Sequence, residues 1–540
     1  MLITDLTRGS SRKMLWMFSI PMLLSVAFQQ VYQIADSIIA GQFIGEAALA
    51  AVGASHPITM IFMAVAVGSN IGCAVVVSRL FGAKKYSALK TAICTIFCAC
   101  IAVSVVLTLV GIFGGSAMLR LIRTPADVFA DAKLYLHIYI YGFLFLYLYN
   151  ICNGIFTSLG DSRTPLYFLI GSSISNILLD IFFVVWLKMG VAGVAWATFA
   201  AQGAASVLAF LTLVHRIKQL RSTEPYAKFS AEMLVQVTIV AIPSILQQCF
   251  VSVGNLFVQS AVNSYGSAVV AGFSACQKLN TFAVTCMTTL SNGVSSFTAQ
   301  NLGADKKERV SEGFQAGALL GILVCVPFFL FYFFFGRTAM GLFLDESSAA
   351  AIQAGVDYMH IVTPFYFIVT IKVMCDGVLR GGSAMLYFMT TTFTDLFLRV
   401  ALAFLFAKGL GLGATGIWMA LRLDTFLPSF HFLLSFKALA EKRALIPKNA
   451  LRNRSAFFDL FILFDILFPN VFLNQLSCIF PDFCRTQFRF RLSPPNLTAA
   501  HPMRTPISAV VGIIQQQRLK IIHHMRKSCL WCFIRFKFFK

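Results

Sequence analysis

The chain has 540 residues, 58% of them hydrophobic and only 12% charged, with a mean hydropathy of +0.78. Soluble domains carry about 25% charged residues, so these values exclude a soluble globular protein and leave a polytopic membrane protein. The net charge of +21 would suit nucleic acid on a polar chain, but here it is explained by basic residues flanking membrane spans, and no nucleic-acid partner is expected.

Apolar runs between charged interruptions predict twelve spans before residue 440, at 14–39, 52–78, 91–117, 133–158, 164–187, 190–214, 233–261, 268–300, 314–338, 355–380, 386–407 and 413–436. Each is long enough for about 30 Å of hydrocarbon. The polar, basic opening MLITDLTRGSSRKM runs straight into the first span, so no cleavable signal peptide is expected. Pro21 and Pro243 lie inside the first and seventh spans and predict a bend in each, because proline removes a backbone hydrogen bond. With the N-terminus inside, the cytoplasmic connections hold 16 Lys or Arg, Arg380 among them, against 6 outside. That bias predicts a multi-pass protein of the bacterial plasma membrane with a cytoplasmic N-terminus.

The two halves repeat. FSIPMLLSVAFQQVYQIADS at 18–37 resembles VAIPSILQQCFVSVGNLFVQ at 240–259, Gly72 and Gly82 fall on Gly293 and Gly303, and GVAGVAWA at 190–197 falls on GATGIWMA at 413–420. All offsets lie between 221 and 223 residues. Six spans per half give both halves one orientation, so a pseudo-twofold along the membrane normal is expected, with the substrate path between the halves. The predicted organisation is an all-α integral membrane protein: an N-lobe at 1–215, a basic cytoplasmic linker at 216–232, a C-lobe at 233–440 and an atypical tail at 441–540.

That tail holds sixteen Lys or Arg against four acids, so it carries +12 of the net +21. Its apolar stretch FFDLFILFDILFPNVFLNQL is interrupted by Asp459, Asp465 and Pro469. The tail is expected to lie outside the transporter body, as a reading-frame change or fused insertion near residue 440 would leave it. A thirteenth helix is the rival reading, and 505–527 has the makings of a basic amphipathic helix on anionic lipid.

Function is sought among polar residues that an anchor would not carry. Gln29, Gln33 and Asp36 form a stripe on the first helix at i, i+4 and i+7. The fourth helix offers Asn150 and Asn153, the fifth Asn176 and Asp180 one turn apart with Ser172 a turn back, and the sixth Thr198. A carboxylate at the centre of a spanning helix costs about 2.5–3.5 kcal/mol on insertion scales. A cation or proton site is therefore favoured over a purely structural hydrogen bond. Hard oxygen donors suit Na⁺, while desolvation raises the proton affinity of a carboxylate, so the ion stays open between H⁺ and Na⁺. Asp36 and Asp180 would be the metal ligands only in the sodium case.

The second half differs. Its first helix offers Asn255, Gln259 and Asn263, and Val258 stands opposite Asp36 in the repeat. Gln29, Gln33, Asn255 and Gln259 are taken as substrate-cavity residues. The interior charges Lys372, Asp376, Asp395 and Arg399 fall in i, i+4 pairs, and Asp395 with Arg399 is expected to be a structural pair. The fourteen Cys sit mostly in apolar runs, as small hydrophobes do, and the single CxxC at Cys529–Cys532 has no second pair of ligands. No Walker loop, HExxH or GxSxG in context occurs, so no enzyme and no cofactor beyond the coupling ion are expected.

QQVYQIADSIIAGQFIGEAALAAVG, then GDSRTPL, NILLD and GVAGVAWAT, resemble the multidrug and toxic compound extrusion (MATE) family over roughly residues 10–440. The resemblance implies twelve helices in two lobes and export of organic cations and other amphipathic drugs in exchange for H⁺ or Na⁺. A monomer in the bilayer is expected. In the DinF-like prokaryotic branch an N-lobe cation site falls on Asp36, Asn153, Asn176, Asp180 and Thr198. The NorM-like branch uses a carboxylate on the seventh helix, and this chain has none there. The alternative function is a flippase for a lipid-linked or amphipathic precursor. Such proteins line a central cavity with several cations, of which this body is expected to show few.

Overall fold

In lipid, backbone polar groups must be satisfied within the protein, so apolar runs of this length form helices. The computed structural model describes residues 4–39, 46–122, 124–220, 224–345 and 348–423, with the side chains of 34–50 outside that description. Among the described residues every regular element is helical. The N-lobe comprises α1 (Ser11–Ile39), α2 (Glu46–Gly82), α3 (Tyr86–Leu121), α4 (Phe129–Tyr141), α5 (Phe143–Ser158), α6 (Arg163–Asp180) and α7 (Val191–Gln219). The C-lobe comprises α8 (Ala231–Val262), α9 (Ser267–Gly303), α10 (Glu308–Phe334), the short α11 (Gly336–Gly341), α12 (Ala349–Val362), α13 (Tyr366–Gly381) and α14 (Met385–Phe404), followed by a helix over 413–423. The tail at 441–540 lies outside the described residues, as does the predicted twelfth span beyond 423.

Nine described helices are long and apolar enough to cross a membrane, or ten if α4 and α5, bent by 48°, form one span. The expected span at 268–300 is present as the 37-residue α9. Its buried residues mix apolar Leu290, Val294 and Phe297 with Ser291, Thr298, Gln300 and Asn301, all four of these polar ones wholly enclosed, because it packs inside the protein and not against lipid. Large side chains such as Phe113, Trp186 and Phe397 instead point outward, where acyl chains replace water. Pro21 and Pro243 sit inside continuous helices.

The repeat is carried into packing. α1 packs on α6 and crosses to α9 and α10, while its equivalent α8 packs on α14 and crosses to α2 and α3. Both α6 and α14 run on into π-helical turns, Ile181–Trp186 and Leu405–Gly409. The lobes meet where α2 and α9 end. A Cβ on Gly82 would lie 2.0 Å from the Gln300 carbonyl oxygen, and one on Gly303 would lie 2.0 Å from that of Arg79. Only glycine permits this approach, and the two contacts are reciprocal under the pseudo-twofold.

The N-terminal segment seals the same end. Gln300 accepts from the Leu6 amide at 3.1 Å and donates to the Ser158 carbonyl at 2.7 Å. Lys306 donates to the Thr7 carbonyl at 2.8 Å, and Arg309 to that of Gly9 at 2.7 Å. Beneath them Leu6, Leu15, Phe18 and Val75 share a core with Phe297, Phe314 and Met374. Beside this seal, buried Asp161 of the GDSRTPL motif pairs with Arg216 at the end of α7 and accepts from the Thr164 amide at 3.0 Å.

Candidate functional site

Between the lobes lies a cavity of about 980 Å³ lined from both sides. Its floor is the sealed end, since the α2–α9 contact and the N-terminal segment close the lobes there.

On the N-lobe side Asn176 and Asp180 occupy one face of α6, 3% and 0% exposed. Oriented by its surroundings, the Asn176 amide donates to the Asp180 carboxylate at 3.1 Å and to the Tyr32 hydroxyl at 2.9 Å. Its oxygen accepts from the Thr198 backbone amide at 3.1 Å. This side chain therefore joins α1, α6 and α7. Asp180 stands one turn behind it, where α6 passes into its π-helical turn, a distortion often found at functional positions. Of the five residues the resemblance implies, the structure brings Asn176, Asp180 and Thr198 together. Asn153 on α5 lines the same cavity but is not bonded to Asn176. Asp36 belongs to α1, one turn beyond Tyr32, and its side chain lies outside the described residues. Tyr32, which sequence reasoning missed, completes the cluster; its position between Gln29 and Asp36 on the polar stripe was the available signal.

Gln29, Gln33 and Asn255 line the cavity. Gln259 is not among the described lining residues. One turn further along α8, it is part-exposed and donates to Asn263, which caps the helix, at 2.8 Å.

The C-lobe side is charged. Lys372 on α13 forms ion pairs with Asp376 at 3.4 Å and with Asp395 on α14. Spacing revealed the first pair and not the second, which crosses between helices. Arg399 donates to Asn255 at 3.3 Å. Arg380, placed by the sequence reading in a cytoplasmic connection, lies within α13, 5% exposed, and donates to Ser291 at 2.8 Å. Arg422, unremarked in the sequence, is 6% exposed and donates to Asn280 at 3.1 Å, with its guanidinium over the Tyr366 ring. All four cations line the cavity. The expectation that few cations would face a central cavity is thus overturned. It failed because Arg380 adjoins a Gly-Gly loop and Arg422 lies inside a run read only for hydropathy.

The MatE family model matches this chain twice, at residues 21–182 and 243–405. The chain belongs to the MATE family. Its two matched segments fall one in each lobe. Among relatives of this MATE protein, the probable multidrug resistance protein YpnP of Bacillus subtilis is 29% identical over 416 residues, covering 76% of this chain and 92% of its own. The multidrug export protein MepA of Staphylococcus saprophyticus is 23% identical, covering 64% and 76%. The fold is that of a multidrug resistance MATE family transporter of the MOP superfamily solved in an outward-facing conformation (TM-score 0.76, 21% identity, 82% of this chain and 98% of that one). A MOP superfamily transporter from Pyrococcus furiosus, described as having a binding pocket of reverse polarity, is similar to the same degree (TM-score 0.75, 21% identity, 81% and 98%).

Proposed function

We propose that this MATE protein is an ion-coupled exporter of amphipathic organic molecules, organic cations among them, working by alternating access in the bacterial plasma membrane. The observation that carries the reading is the buried Asn176–Asp180 pair, tied to α1 and α7 beside a cavity sealed at one end. The multidrug names of the relatives support it. The sealed end, which carries the N-terminus, faces the cytoplasm in this reading, so the cavity is the outward-facing state.

H⁺ or Na⁺ enters as co-substrate at the N-lobe cluster. It is taken up by Asp180, with Asp36 as second carboxylate and the oxygens of Asn153, Asn176 and Thr198 as further donors. Neutralising Asp180 changes what the Asn176 amide donates to, and Asn176 holds Tyr32 of α1. α1 also packs on α9 and α10 at the seal. Ion occupancy can therefore bias the lobe–lobe equilibrium only to the extent that it binds one arrangement better than the other.

The test is ethidium efflux from proteoliposomes under an imposed Na⁺ gradient and, separately, a proton gradient. Asp36→Asn and Asp180→Asn should each reduce coupled efflux by about 100-fold or more, the consequence of losing several kcal/mol of coupling, while inserting normally. Normal efflux in both variants would end the proposal. A second reading, a flippase for an anionic amphipathic precursor, is favoured by the four cations of the C-lobe wall.

A further inference from the structure

The charge on the cavity wall is unevenly divided. Among the described lining residues the N-lobe supplies no charged side chain, while the C-lobe supplies Lys372, Arg380, Arg399 and Arg422 against Asp376 and Asp395. Both carboxylates are held by Lys372. Arg380 and Arg422 are each more than nine-tenths buried, and among the described residues neither forms an ion pair. Each keeps an Nε–H with no acceptor. Their bonds go to neutral oxygens, Ser291 and Asn280. Asp376, one turn before Arg380 on α13, is already paired with Lys372. A buried guanidinium outside any ion pair is costly, and its fork of donors matches a carboxylate, sulfonate or phosphate.

We propose that Arg380 and Arg422, whose partners Ser291 and Asn280 stand about three turns apart on α9, are two separate oxyanion-binding points on the C-lobe wall, so that cargo sets an acidic group at one of them and lays its apolar or cationic part against the N-lobe wall, whose described lining is uncharged. Amphipathic anions and zwitterions are then preferred to simple organic cations. This rests on the transporter reading only in taking the cavity as the cargo path. It is tested by binding without a gradient, so failure of transport and failure of anion recognition are told apart.

The probes are fluorescein and ethidium, titrated by fluorescence anisotropy against the purified full-length protein. Arg422→Gln and Arg380→Gln should each weaken fluorescein about tenfold or more, as loss of a charge-assisted hydrogen bond does, and should tighten ethidium by removing a positive charge. Arg422→Lys, keeping the charge but losing the fork, should fall between wild type and Arg422→Gln and controls for misfolding. Competition with short-chain phosphatidylglycerol against short-chain phosphatidylcholine names the source of the anion. Displacement by phosphatidylglycerol alone points to a lipid headgroup and displacement by neither to a soluble organic anion, while equal displacement by both means that acyl chains and not the arginines select the ligand and overturns the proposal. No fluorescein or phosphatidylglycerol binding by the wild type would overturn the proposal. So would fluorescein and ethidium affinities falling together in both Gln variants.

Discussion

On the N-lobe wall the described polar groups are amides and hydroxyls, with Asp180 enclosed behind Asn176. On the C-lobe wall the equivalent helices present ion pairs and arginines. The repeat offset of 223 places Arg399 where the N-lobe has Asn176, and Ala403 where it has Asp180. The backbone repeats and the chemistry does not. Among the described residues, one lobe has a compact set of amides and hydroxyls around the carboxylate of Asp180. The other has a lysine committed to two carboxylates and three arginines whose described bonds go to Ser291, Asn255 and Asn280. The difference teaches that pseudo-symmetric lobes can keep one backbone and carry different chemistry, which is the division the proposed ion and cargo sites draw on.

The comparison can be broken most severely at Lys372. Replacing it by Met leaves Asp376 and Asp395 buried without their shared partner, which should cost about 3–5 kcal/mol. The result would be a much lower Tm of the detergent-purified protein, largely restored by adding Asp376→Asn and Asp395→Asn. If the lysine served cargo and not structure, Tm would hold. A smaller effect is expected at the seal. Gly303→Val drives a side chain into the Arg79 carbonyl and should raise amide hydrogen exchange at 4–9 and 158–162 by about tenfold, equivalent to a loss near 1.4 kcal/mol. Unchanged exchange there would mean that the lobes are held together elsewhere. The smallest effect sharpens the N-lobe side. Tyr32→Phe removes one acceptor from Asn176, worth about 1 kcal/mol, and should shift the coupling-ion concentration for half-maximal efflux about fivefold without changing Tm.

Much of the fold was legible because a bilayer makes hydropathy an unusually direct signal. The spans through 407 fall on helices, and the repeat of Pro21 on Pro243 and Gly82 on Gly303 anticipated the pseudo-twofold. Asn176, Asp180 and Thr198 were legible for the same reason, being polar where lipid would select Leu. Long-range geometry was not legible. Nothing in the spacing tells that Lys372 reaches Asp395 on another helix. A basic residue near a helix end, such as Arg380, looks the same in sequence whether it snorkels to the membrane surface or turns into a cavity. Nor does a stripe such as Asn255 and Gln259 tell how far along its helix the cavity extends: Asn255 lines it and Gln259 lies a turn further on.

The reciprocal glycine contacts have a consequence for kinetics. Since Gly82 meets the Gln300 carbonyl and Gly303 meets that of Arg79, tilting either lobe breaks both contacts in one movement. A half-open seal would forfeit the close packing of both sites while gaining no passage. In the alternating-access cycle proposed above, opening would therefore be cooperative, and leakage of protons or small solutes through a partly parted floor would be suppressed by the geometry itself.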